Sequence, residues 1–253
     1  MGYRKQERCR TGCGLRGNEH RQWPPPERLW RVRQTWRHVL FAHWPVAAAT
    51  LQPFIPPPLE LETFAGTAWL GLVPFELSHL AHRQTPHRRR LAFPEINVRT
   101  YVAVQNQPGV WFFSLDAASP LAVIGARAAY HLPYSWAAIQ MREQGGWVNF
   151  SSQRRGSSAR FTGRYQPAGP VFESEPETLE RWFTARYCLY TTDRAGTVLR
   201  AHVNHDPWPL QLAAAEITAN TMLAAYGIAL RGSPLLHDAS RTDVVAWGLE
   251  RAR

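Results

Sequence analysis

Glu95-Ile96-Asn97-Val98-Arg99-Thr100-Tyr101-Val102 alternates without a break. Side chains on a strand point to opposite faces in turn. The run therefore sorts into a packing set, Ile96, Val98, Thr100 and Val102, and a polar set, Glu95, Asn97, Arg99 and Tyr101. A helix would scatter both sets around its circumference, so the stretch predicts a strand. Successive members of the polar row stand roughly 7 Å apart, close enough for neighbours to share one ligand. A row of carboxylate, amide, guanidinium and phenol either faces water or lines a polar cavity, and the pattern alone leaves both readings open.

The flanking sequence extends the strand pattern. Residues 67–73 read as a buried strand between Gly66 and Pro74, and residues 110–116 as another after the turn pair Pro108-Gly109. Residues 147–154 and 159–165 read as a hairpin through Gly156-Ser157-Ser158, and residues 186–191 and 197–203 as a second around Asp193 and Gly196. Helical signals are fewer. Ser174-Glu175-Pro176-Glu177 has capping-box spacing and predicts a helix to about Ala185. Asp206-Pro207 reads as the cap of a helix through Leu210, Ala214 and Ile217, and a third short helix is expected over residues 118–129. Strands joined by tight turns, with few helices, predict an antiparallel sheet or barrel.

Composition narrows the chemistry. The chain of 253 residues has a net charge of +10, but residues 1–37 alone carry ten basic and three acidic side chains. The rest is nearly balanced and demands no nucleic-acid partner. Residues 1–35 are basic, proline-containing and aperiodic, and read as a disordered tail before one domain over 36–253. No segment has the apolar run of about 20 residues that a membrane span needs, and no apolar stretch follows the charged start as in a secretory signal; a cytoplasmic protein is expected. The single lysine is Lys5, so the body offers no amine for a Schiff base. Cys9, Cys13 and His20 are three ligands without a fourth, so no metal and no cofactor are predicted. His79, His82 and His87 are expected in a solvated arginine-rich loop, and Cys188 as a small buried side chain.

Two further clusters carry candidate chemistry. In the stretch from Gly125 to Tyr134 a helix gives way to a strand, with Arg127 and Tyr134 near the junction. Arg186-Tyr187-Cys188 is followed by His205-Asp206, a pair that either orients a histidine for proton transfer or is a capping aspartate beside a half-buried histidine.

These motifs, in order, resemble the YqjF-like family of bacterial proteins. The carriers are Phe41-Ala42-His43-Trp44-Pro45, Phe64-Ala65-Gly66-Thr67-Ala68-Trp69, Pro94 through Val102, Leu132-Pro133-Tyr134, Arg186 through Tyr190, and His205-Asp206-Pro207-Trp208. The family is distantly similar to acetoacetate decarboxylase. The resemblance implies an α+β, predominantly antiparallel fold: a conical β-barrel with a few covering helices around a small apolar-walled cavity. It also places Tyr134 where the decarboxylases carry their lysine, Ala128 where a glutamate follows their arginine, and Glu95 at a matching acid. The leading expectation is a small-molecule-binding protein whose cavity is lined by Glu95, Asn97, Arg99, Tyr101, Arg127 and Tyr134. An arginine there would clamp a carboxylate or enolate. The first rival is a non-covalent enzyme with Tyr134 as acid and Glu95 as base; the second is a structural protein with a salt-bridged polar row. A homo-oligomer stays open.

Overall fold

The run at residues 95–102 becomes a strand with both faces covered, because the sheet around it closes on itself twice. The computed structural model describes residues 18–84 and 91–252. In chain order its strands are β1 (Val32–Val46), β2 (Glu60–Leu61), β3 (Ala68–His82), β4 (Leu91–Val104), β5 (Gln107–Ala117), β6 (Tyr134–Gln144), β7 (Trp147–Arg154), β8 (Arg160–Pro167), β9 (Cys188–Thr192), β10 (Val198–His205), β11 (Leu210–Asn220), β12 (Leu235–Ala246) and β13 (Glu250–Arg251). The helices are α1 (Ala48–Leu51), α2 (Pro120–Tyr130) and α3 (Leu179–Thr184).

Strands β12, β1, β3, β4 and β5 form a continuous antiparallel wall. At its two ends the sheet forks. The start of β5 pairs in parallel with β9, and its end with β6. The far edge of β12 pairs with β10 at one end and β11 at the other. One fork closes a ring through β9 and β10; the second closes through β6, β7, β8 and β11. The fold is thus mostly antiparallel with few helices, as expected.

The two rings enclose different interiors. Behind the even-numbered face of β4, Ile96 and Val98 join Leu40, Leu72, Phe150 and Phe161 in a close-packed core. On the odd-numbered face, Phe93 packs with Phe41, Phe75, Val123 of α2 and Trp208 around a cavity. Helix α2 covers that side. Ser119 accepts the Ala122 backbone N–H at 3.3 Å, Pro120 occupies the first turn, and His131 ends the helix at a φ of 51°.

Four sequence expectations need correction. Residues 210–220 form strand β11, not a helix. Its alanines are neutral as to pattern, and the open edges of β8 and β12 supply a ladder that outweighs helix propensity. The helix expected from Ser174 is only Leu179–Thr184, capped by Thr178, whose hydroxyl accepts from Arg181 N at 3.3 Å. Glu177 just before it has a φ of 65°, which a helix cannot continue through. The tail expected over residues 1–35 holds structure from residue 18 onward. Arg21 is buried, donating to Val203 O at 2.8 Å and to Asn204 Oδ1 at 2.7 Å, and residues 32–35 already belong to β1. Residues 1–17, with Lys5, Cys9 and Cys13, lie outside the described residues, as does His87. His79 and His82 fall within β3, not in a loop.

Candidate functional site

The ring through β9 and β10 encloses a cavity of about 340 Å³, and the odd face of β4 supplies its polar groups in single file. Glu95, Asn97 and Arg99 line the cavity and are all buried. Tyr101 continues the row beyond the lining, fully buried, with its hydroxyl 2.5 Å from His43 Nε2. Facing residues are mostly apolar: Trp36 from β1, Phe75 and Leu77 from β3, Phe112 and Leu115 from β5, and α2 above.

Tyr134, the first residue of β6, donates its hydroxyl to Glu95 Oε2 at 3.0 Å. Burial pushes the Glu95 carboxyl up to about 8; the bond from Tyr134 opposes this and the nearby Asp116 adds to it. Glu95 is therefore a neutral acid at pH 7. The Tyr134 phenol is itself held well above its ordinary value by burial and by Glu95.

Asn97 and Arg99 differ from Glu95 in each holding a buried polar atom without a partner. Asn97 Oδ1 and Arg99 Nε are buried with no hydrogen-bond partner among the described residues. No carboxylate among them lies within ion-pair distance of Arg99, whose guanidinium sits 5.6 Å from the Phe41 ring centre and 5.9 Å from that of Tyr101. A second guanidinium lies near the same phenol: Arg186, 4.9 Å from the Tyr101 ring centre, also lines the cavity. Arg186 is fixed by an ion pair with Glu62 and by donation from Nε to Trp182 O at 2.6 Å, leaving Nη2 without a partner. This end of the cavity thus holds two cations and one paired acid.

Behind the arginines, His43 stacks on Phe183 at 3.6 Å between ring centres. Burial and the neighbouring Arg99 hold His43 well below its ordinary value, so it is a neutral imidazole. Gly71 makes room for the contact: a Cβ there would stand 3.0 Å from His43 Nε2 and 3.3 Å from Tyr101 Oη. His205 lines the opposite wall. Its Nδ1 meets the backbone carbonyl of Asp206 at 2.7 Å, and burial takes it down to about 4. It is a buried neutral histidine held by a backbone oxygen. Cys188, pushed up to about 12 by burial, is an unreactive thiol.

Of the residues predicted to share a cavity, Glu95, Asn97, Arg99 and Tyr134 do, and Tyr101 abuts it. Arg127 does not: it is exposed, because α2 turns Ala122, Ala126 and Ala129 inward and carries Arg127 off that face. Arg186 was invisible as a cavity residue. It lies in the link between α3 and β9, where no periodicity tells inside from outside.

The ring of strands around an apolar-walled cavity has the acetoacetate-decarboxylase-like fold. The fold matches solved members of that class: the enduracididine biosynthesis enzyme MppR complexed with pyruvate, at a TM-score of 0.63, 10% identity and 92% coverage of each chain, and the acetoacetate decarboxylase of Legionella pneumophila, at 0.60, 10% identity and 93% and 95% coverage. Within that fold the chain belongs to the DUF2071 family of uncharacterized conserved proteins, whose profile matches residues 33–243. It is 44% identical over 229 residues to the uncharacterized protein YqjF of Bacillus subtilis (strain 168), covering 89% of this chain and 94% of that one.

Proposed function

We propose that this protein binds a small organic acid in the ring cavity, with the carboxylate against Arg99 and Arg186. One observation carries the reading: Arg99 is a buried guanidinium with an unpartnered Nε, beside an unpartnered Asn97 Oδ1, in a cavity with mostly apolar walls. A buried polar group without a partner costs about 1–3 kcal/mol, more when charged, and an anion arriving at Arg99 recovers that cost. Tyr134 is engaged by Glu95, and no acid among the described residues lies within ion-pair distance of Arg99. MppR, which shares the fold, is seen complexed with pyruvate, itself a small carboxylate. Calorimetric titration with short carboxylates and the matching neutral amides tests the reading. Carboxylates should bind at least about tenfold more tightly than amides, and Arg99→Met should remove the difference. Equal affinity for acid and amide would sink it.

The Glu95–Tyr134 pair favours a second reading, a non-covalent acid/base enzyme. A carboxyl poised at about 8 and hydrogen-bonded to a phenol can give a proton to a carbonyl oxygen and take one back near neutral pH. Deuterium exchange at the α-carbon of a bound keto acid, abolished in Glu95→Gln, would establish it; no exchange above the buffer rate would reject it. Neither reading uses an imine, since Tyr134 stands at the position matched to the decarboxylase lysine and residues 36–253 contain no lysine. Borohydride should trap no keto acid on the protein.

A further inference from the structure

The cavity is polarised along its length. The registers of β3 and β4 order its wall in steps: Gly71 opposite Arg99, Phe75 opposite Glu95, Leu77 opposite Phe93, and Leu80 opposite Leu91. Arg99 to Leu91 is eight residues, roughly 26 Å of strand. Both arginines sit at one end. The other end is Leu80, Leu91 and Val32 under α2.

Three features of the apolar end have no role in holding a three- or four-carbon acid. The cavity, at about 340 Å³, lies within the range of about 300–1,000 Å³ typical of sites for much larger ligands. Along α2 the lining residues Ala122, Gly125, Ala126 and Ala129 are small, between Leu121 at its start and Tyr130 at its end. Leu121, at the start of α2, lines the cavity while remaining 74% exposed, so an apolar side chain stands at the mouth.

Building on the carboxylate reading above, we propose that the ligand is an amphipathic monocarboxylate with a hydrocarbon tail of about six carbons or more. Its head group meets Arg99 and Arg186, and its tail runs along β3 and β4 to the mouth beneath α2. Glu95 lies partway along, about four residues or 13 Å of strand from Arg99, where the acid and the Tyr134 phenol face the tail and not the head.

The experiment is a titration of the full chain with butanoate, hexanoate, octanoate and decanoate, each below its micelle concentration. Quenching of tryptophan fluorescence reads the binding, since Trp36 and Trp208 line the cavity. Affinity should rise about fourfold per added methylene up to octanoate. Leu121→Glu places a charge in the path of the tail on an exposed site that tolerates an acid at a helix start. It should weaken octanoate at least about tenfold while leaving butanoate unchanged. Affinity that does not grow with chain length, or tighter binding of pyruvate or acetoacetate than of octanoate, overturns the tail and leaves the carboxylate reading standing. If none of the acids binds, both fail. If Leu121→Glu and the parent bind octanoate equally, the tail does not run beneath α2 and this proposal is wrong.

Discussion

The two interiors on either side of the β12-β1-β3-β4-β5 wall are built from the same strands and obey different rules. On one side Phe150 and Phe161 fill the space, and the buried Asp116 carboxylate has its partner in Arg154. On the other, a carboxyl, an amide and a guanidinium are buried in a row, two of them with unpartnered atoms. The packed side is arranged for stability. The cavity side holds energetically costly groups where a ligand can reach them, a pattern expected where function and stability compete.

The contrast can be broken most directly by cutting side chains on both sides. Phe161→Ala should destabilise by about 3–5 kcal/mol, read by denaturant unfolding, whereas Leu80→Ala on the cavity wall should cost about 1 kcal/mol or less, because its neighbours already border empty space. Equal losses would mean the cavity is not open in solution.

A second comparison sets two arginines against each other. Arg154 pairs with the fully buried Asp116 at 2.8 Å, so Arg154→Met strands a carboxylate and should cost about 2–4 kcal/mol. Arg99 has no such partner, so Arg99→Met should leave the ligand-free protein unchanged or stabilise it by up to about 2 kcal/mol, while removing carboxylate binding. A large loss of stability in Arg99→Met would show that an acid pairs with it after all.

Glu95 sharpens the contrast with pH as the variable. Its folded value of about 8 lies above the ordinary 4.5, so unfolding is favoured wherever the unfolded chain ionises and the folded one does not. Its contribution to stability is complete below about pH 4.5 and is lost as the pH rises through 8. Glu95→Gln should therefore melt like the parent at pH 4 and gain about 4 kcal/mol at pH 8. Glu216→Gln, at the surface, should show no such pH-dependent gain. The smallest effect concerns the N-terminal segment. Arg21→Met leaves Asn204 Oδ1 without its donor and should cost about 1–2 kcal/mol. No change there would return residues 18–31 to the status of a dispensable tail.

Most of the wall was legible in the sequence, because alternation and turn glycines act locally. The strand at 95–104, both hairpins and the helix after Ser119 all follow from residues within one element. That Glu95, Asn97 and Arg99 share one strand face was legible too, but not that this face lines a cavity instead of meeting water. The failures share a different cause. β11 has no strong local preference and takes its state from the edges it completes. Arg127 and Arg186 lie where orientation is set by tertiary packing, and the sequence around them is equally consistent with inside and outside. The unpaired state of Arg99 is also a tertiary fact, since it depends on which acids fail to arrive.

One consequence follows from β4 having two buried faces. Between Phe93 and Arg99 its residues divide by parity: Ile96 and Val98 belong to the packed core, and Phe93, Glu95, Asn97 and Arg99 to the cavity. Substitutions at one parity leave the other side untouched, so the cavity can be retuned for a new ligand without repacking the core. An insertion or deletion of a single residue has the opposite effect. It would turn Glu95 and Arg99 into the Phe150–Phe161 core and deliver Ile96 and Val98 to the cavity. Over the stretch from Glu95 to Val102, the lineage of this protein is therefore free in spelling and fixed in length.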